Sequence, residues 1–95
     1  MLKVITLVLS SLLFSGFTYA CDKPVAPLLP DASTAVTAQM VKAKNQVKAY
    51  MSSAEAYLEC ASDAAAHNEM IDSMKQVADA FNSAVRAYKD RMTNA

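Results

Sequence analysis

The sequence predicts an all-α fold: a helical hairpin, with helices over about 37–62 and 68–92, braced by an extended polyproline II segment over 21–31. Three observations predict it. Pro24, Pro27 and Pro30 recur every third residue directly after Cys21. Two apolar stripes at helical spacing follow them, and no Gly or Pro occurs beyond Pro30. The only other cysteine, Cys60, lies deep in an alanine-rich helical region.

Residues 1–20 read as a secretory signal peptide, leaving 21–95 as one domain. Lys3 supplies the positive start, Val4 to Phe14 the apolar run, and Thr18-Tyr19-Ala20 the cleavage site. A membrane anchor is the alternative, but the run falls short of the ~20 residues that a spanning helix needs. Export to the periplasm or beyond is therefore expected. The lack of an Asn-x-Ser/Thr sequon fits a bacterial periplasm.

Cleavage after Ala20 makes Cys21 the first mature residue, which admits lipidation. A lipoprotein signal carries Leu and then a small residue two places before the cysteine, where this chain has Thr18 and Tyr19. Lipidation would also leave Cys60 as a lone exported thiol. A Cys21–Cys60 disulfide is the expectation, since paired cysteines predominate in oxidising compartments. Only if Cys21 were lipidated would a membrane association, or a structural envelope lipoprotein, follow.

Taking Lys3 from 9 basic residues leaves 8 against 9 acidic ones, a net charge of −1 for the mature chain. That balance offers no electrostatic case for nucleic acid. A domain this small rarely buries enough apolar surface unaided, so a staple or self-association is expected.

The elements follow in order. The prolines exclude helix from 21 to about 36, because Pro lacks the N–H and disfavours α geometry in the residue before it. Polyproline II has three residues per turn, which puts all three rings on one edge. Asp31 to Val36 forms a polar bend, after which Thr34 or Thr37 offers a helix N-cap. The first stripe joins two heptad series, Met40, Val47, Ala54, Ala61 and Ala43, Tyr50, Tyr57, Ala64, with Met51 and Leu58 widening it. The second comprises Met70, Met74, Val77, Phe81, Ala84 and Tyr88, flanked by Ile71, Ala78, Val85 and Met92.

On one continuous helix at ~100° per residue, the two stripes would face opposite ways. A break within 62–68 instead lets them meet. Ser62-Asp63 and His67-Asn68 are the turn residues available, and Asn68-Glu69 offers a new helix start. A single long helix, stabilised by oligomerisation, is the structural alternative.

The reach of the brace agrees with the pairing. From Thr37 to Cys60 a helix rises ~35 Å, and residues 21–36 as polyproline II span ~50 Å. Cys21 can therefore return to Cys60. The proline repeat (~9.3 Å) nearly matches the Tyr50–Tyr57 repeat (~10.5 Å), which sets Pro24 near Tyr57 and Pro27 near Tyr50.

On Pro24, Pro27, Pro30, Tyr50 and Tyr57, this plan is similar to the pancreatic-polypeptide hairpin. The pattern C-x2-P-x2-P-x2-P-D followed by Y-x6-Y-L-x-C also resembles small exported proteobacterial proteins of unknown function. Neither likeness implies an activity.

Candidate chemistry is sparse. His67, Met70 and Met74 form H-x2-M-x3-M, which resembles motifs of periplasmic copper- and silver-binding proteins. Thioether with imidazole suits Cu(I) or Ag(I), and the spacing shares one helix face. Against this, Met70 and Met74 are stripe residues of the kind that fill cores. Glu59, Asp63 and His67 stand at i, i+4, i+8, which reads as a solvated face. Cys60, the best nucleophile by type, is committed to the disulfide, so no enzyme is expected.

Charge is sorted more clearly. In a hairpin, Lys42, Lys44, Lys48, Arg86, Lys89 and Arg91 gather at the open end, and Glu55, Glu59, Asp63, Glu69 and Asp72 at the tip. An antiparallel pair of hairpins would oppose these ends and cover Met51, Leu58 and Val85 as a four-helix bundle. The functional expectation is a non-enzymatic exported interaction protein (an adaptor, inhibitor or chaperone-like binder) with a protein partner or a second copy. A soft-metal binder is the alternative.

Overall fold

A computed structural model describes residues 21–94. The expected signal peptide, 1–20, lies outside them. Two helices are present, α1 over Thr37–Cys60 and α2 over Ala64–Asn94, and there is no strand among the described residues. They form an antiparallel hairpin: Thr37 at the start of α1 meets Tyr88 late in α2, and Ala54 near the end of α1 meets Met70 early in α2.

The apolar series dictate this pairing. Met40, Ala43, Val47, Tyr50 and Ala54 are buried, and Tyr57 and Ala61 half-buried, in alternating steps of three and four. On α2, Met70 is wholly enclosed, and Met74, Val77, Phe81, Ala84 and Tyr88 are half-buried behind it. Tyr50, Ala54 and Met70 form the centre, with Met51, Tyr57, Leu58, Met74 and Val77 packed around them. A side chain the size of Met, fully withdrawn from water, contributes roughly 1.5–3 kcal/mol.

The break is tighter and earlier than the sequence suggests, and one continuous helix is excluded. α1 ends at Cys60 rather than 62, and Ala61 turns the chain out at φ −74°, ψ 121° while its N–H still bonds the Tyr57 carbonyl at 2.9 Å. Asp63 then starts α2: its carboxylate accepts from Ala65 N–H at 3.3 Å and its carbonyl from His67 N–H at 3.0 Å. Asn68 is inside the helix, not at its start. Asp63 caps three alanines, the strongest helix formers, so nucleation at 63 outcompetes nucleation at 68. No described residue has positive φ, which is how the turn forms without glycine.

The start of α1 also differs from expectation. Val36 is the N-cap, and the Gln39 side chain turns back to accept its N–H at 2.9 Å. Thr34 and Thr37 are engaged elsewhere. The Thr34 hydroxyl reaches the Asp31 carbonyl at 3.4 Å, and that of Thr37 meets the Tyr88 hydroxyl.

Residues 21–36 include no helix or strand. Cys21 is bonded to Cys60 with a Cα–Cα distance of 5.6 Å, so residues 21–36 run back along α1. Pro24, Pro27 and Pro30 are half-buried, whereas Val25 and Leu28 between them are 88% and 93% exposed.

Candidate interaction face

Three stripes can be followed along α1, each in steps of three and four. The first is the buried series that meets α2. The second, Gln39, Lys42, Gln46, Ala49 and Ser53, carries the N-terminal segment. Pro24, Val25 and Pro27 share a hollow with Gln46, Ala49, Tyr50 and Ser53. Leu28, Leu29 and Pro30 share the next with Gln39, Lys42, Ala43 and Gln46. The same steps lead on through Ala56 to Cys60, so the disulfide lies at the far end of this stripe. Small and amide-bearing residues suit it, because they let a backbone approach closely. Tyr57 does not line the Pro24 hollow; it packs against the Tyr50–Ala54–Met70 core.

The segment is also tied to α2. Lys23 reaches Glu69 at 3.3 Å. At the open end, Arg91 donates to the Ala32 carbonyl at 3.2 Å and to the Ala35 carbonyl. Its guanidinium lies 5.4 Å from the centre of the Tyr88 ring. Asp31 shapes the bend that Arg91 holds. Its carbonyl accepts from Thr34 and Ala35 N–H at 3.1 and 2.9 Å, and its carboxylate from Ser33 N–H and Oγ at 2.9 and 2.8 Å. The backbone bond from Ser33, then the Ser33 hydroxyl, hold the Asp31 carboxyl below its ordinary range, with Arg91 adding a little. The sequence places Arg91 only in a basic cluster. Its part in closing the bend depends on a meeting of residues almost sixty positions apart, which no local pattern signals.

The third stripe is Thr37, Val41, Lys44, Lys48, Met51, Glu55 and Leu58. At ~100° per residue it lies roughly opposite the segment-bearing stripe. It faces a parallel series on α2, namely Ile71, Met74, Ala78, Phe81, Val85, Tyr88 and Met92. Between them, Thr37, Met40, Val41, Phe81, Val85 and Tyr88 line an open hollow of about 250 Å³, with Lys44 and Lys89 on its walls. Val41 remains 52% exposed and Met92 47%. The lining of this hollow is almost wholly apolar, and two exposed lysines are part of it.

The residues of the other candidate sites differ in exposure and in the elements that carry them. Met70 is 0% exposed within the core and Met74 packs against that core, whereas His67 is exposed in the first turn of α2. A core position accounts for both thioethers. Glu59 and His67 fall on different helices, with the Asp63 cap between them. Among the described residues there is no group of three His, Cys, Asp or Glu able to hold a metal, and no helix long and apolar enough to cross a membrane. Compared with known proteins, the chain matches no protein-family model, no curated protein and no solved structure.

Proposed function

We propose that the chain is an exported, non-enzymatic interaction module: a helical hairpin with one side closed by a brace and the other presented for docking. In this reading residues 21–31 are a polyproline II brace, with the Pro24, Pro27 and Pro30 rings set against the side of α1 that holds Tyr50. The alternation of half-buried prolines with exposed Val25 and Leu28 supports the three-residue phase of that helix. A preformed brace loses little entropy on folding and stiffens α1, with Glu69 and Arg91 of α2 tying down its two ends.

The carrying observation is the hollow between Val41 and Val85, with apolar side chains at its floor and Lys44 and Lys89 at its walls. An apolar surface rimmed by charge marks an interaction site, and an amphipathic helix laid into such a groove is a recurrent mode of recognition. The lysines favour a partner that brings carboxylates to the rim.

Anilinonaphthalene sulfonate, an apolar anion, is a direct probe of that chemistry. The native, oxidised protein at high dilution should enhance its fluorescence. Val85→Glu, or Lys44→Glu with Lys89→Glu, should lose most of the enhancement while leaving helicity intact. Enhancement that is absent, or indifferent to both variants, contradicts a docking role for this face.

A further inference from the structure

We infer that the occupant of the open face is a second copy of this chain, docked antiparallel with α1 upon α1. The inference rests on the docking role proposed above and adds the partner, its orientation and its register.

Charge order along the third stripe, with Glu59 one step beyond Glu55 at its edge, carries the argument. Lys44 and Lys48 occupy the half of α1 near the open end, and Glu55 and Glu59 the half near the tip; all four are exposed. A two-fold axis across the helices reverses one α1 upon the other. Centred between Met51 and Ser52, it sets Lys48 opposite Glu55 of the second copy and Lys44 opposite Glu59. The symmetry repeats both pairs. The axis lies within a turn of the middle of α1, so residues 43–60 of the two copies overlap and 37–42 of each reach the tip of the other. A parallel arrangement would instead set lysine on lysine and glutamate on glutamate.

The apolar groups agree with the same axis. Met51 falls at its centre, and Leu58 and Val41 lie towards the two ends. Because Tyr50 and Ala54 pack on Met70 and Met74, the axis crosses α2 about level with Met74. There Ile71 and Met74 meet their counterparts, and the Lys75 stem lies across Ile71 of the second copy. Arg86 and Lys89 reach the level of the other tip, where Asp63 stands. The product is a four-helix bundle with an isologous interface, and the brace of each copy stays outside it. On the other side of each hairpin, the residues of the second stripe are taken up by the N-terminal segment. The face opposite is the one left for a copy.

Sedimentation equilibrium of the protein, expressed as the full chain and purified oxidised, tests this. At low salt a dimer is expected, with its dissociation constant rising about tenfold or more in ~1 M salt, where the screening length falls to ~3 Å. Glu55→Lys/Glu59→Lys makes the stripe wholly basic, and Lys44→Glu/Lys48→Glu makes it wholly acidic. Each variant alone should be a helical monomer by sedimentation and circular dichroism, and an equal mixture should form heterodimers. A wild-type monomer at low salt overturns the inference, as does a dimer unmoved by the charge variants. If that monomer still binds anilinonaphthalene sulfonate through Val85, the docking face stands and only the second copy fails; if it does not bind, both fail.

Discussion

The two sides of this hairpin are built from similar helical spacing but end in opposite states. On one side, residues 21–36 are fixed by the Cys21–Cys60 bond, by Lys23–Glu69 and by the hold of Arg91 on the bend. On the other, Val41, Met51, Leu58, Phe81 and Val85 remain partly open to solvent. The stripe under the segment is the more polar of the two. The difference teaches that in so small a domain, cover is supplied by connectivity rather than by hydrophobicity. A covalent bond and two polar ties hold a proline-rich segment over Gln39, Gln46 and Ser53, while the more apolar stripe stays partly exposed.

The largest way to break this asymmetry is to release the covered side. Cys21→Ser with Cys60→Ser opens a loop that spans 39 positions of sequence. By the chain-entropy argument this removes ~4 kcal/mol of stability. Urea denaturation, with and without reductant, should show the loss in the wild type and no further effect of reductant on the variant.

Next in size is the clamp. Arg91→Ala removes donors to two carbonyls of the bend and the stacking on Tyr88, and should cost ~1–2 kcal/mol. Amide exchange should rise at Thr34 and Ala35, with the centre of α1 little affected.

A smaller effect is expected from pH. The folded pKa of Asp31 is depressed, chiefly by the Ser33 N–H and then its hydroxyl. Its contribution is therefore fully present above the ordinary carboxylate value of ~3.9 and is lost as pH falls through the folded value. Carboxyl titration by NMR should place Asp31 below its ordinary range. Ser33→Ala removes the hydroxyl but keeps the N–H, so it should move Asp31 only part of the way back and soften the acid limb of stability.

The smallest effect belongs to the open side. Val41→Glu places a charge at a position 52% exposed, and should change monomer stability by no more than ~0.5 kcal/mol. The same substitution should weaken the dimer, so sedimentation and urea denaturation of one variant separate folding from docking.

Much of the fold is legible in the sequence, because period-seven spacing is a direct consequence of helix geometry. Met40, Ala43, Val47, Tyr50 and Ala54 follow from it, as does the antiparallel meeting with Met70, Met74 and Val77. The disulfide follows from having two cysteines and a segment long enough to return. The helix ends are less legible. Asp63 and Asn68 are both cap residues, and what separates them is the run Ala64–Ala66 that only one of them precedes. Val36 carries no capping side chain at all, and the backward turn of Gln39 replaces it. The candidate face is only partly legible. Its apolar members widen the stripes visibly, but which side stays open depends on where the prolines settle, and Gln39, Gln46 and Ser53 look like ordinary solvated residues. Met70 shows how one letter pattern supports two readings: in H-x2-M-x3-M it suggests a ligand, and in the packed hairpin it is the enclosed centre.

The central claim is that the prolines, set along one edge, close one side of α1. Nuclear Overhauser contacts of the Tyr50 ring in the oxidised protein test it most directly. The account predicts cross-peaks from that ring to the ring protons of Pro24 and Pro27, with both prolines shifted by the aromatic current. A Tyr50 ring that contacts only helical neighbours, with Pro24 and Pro27 at random-coil shifts, would contradict it.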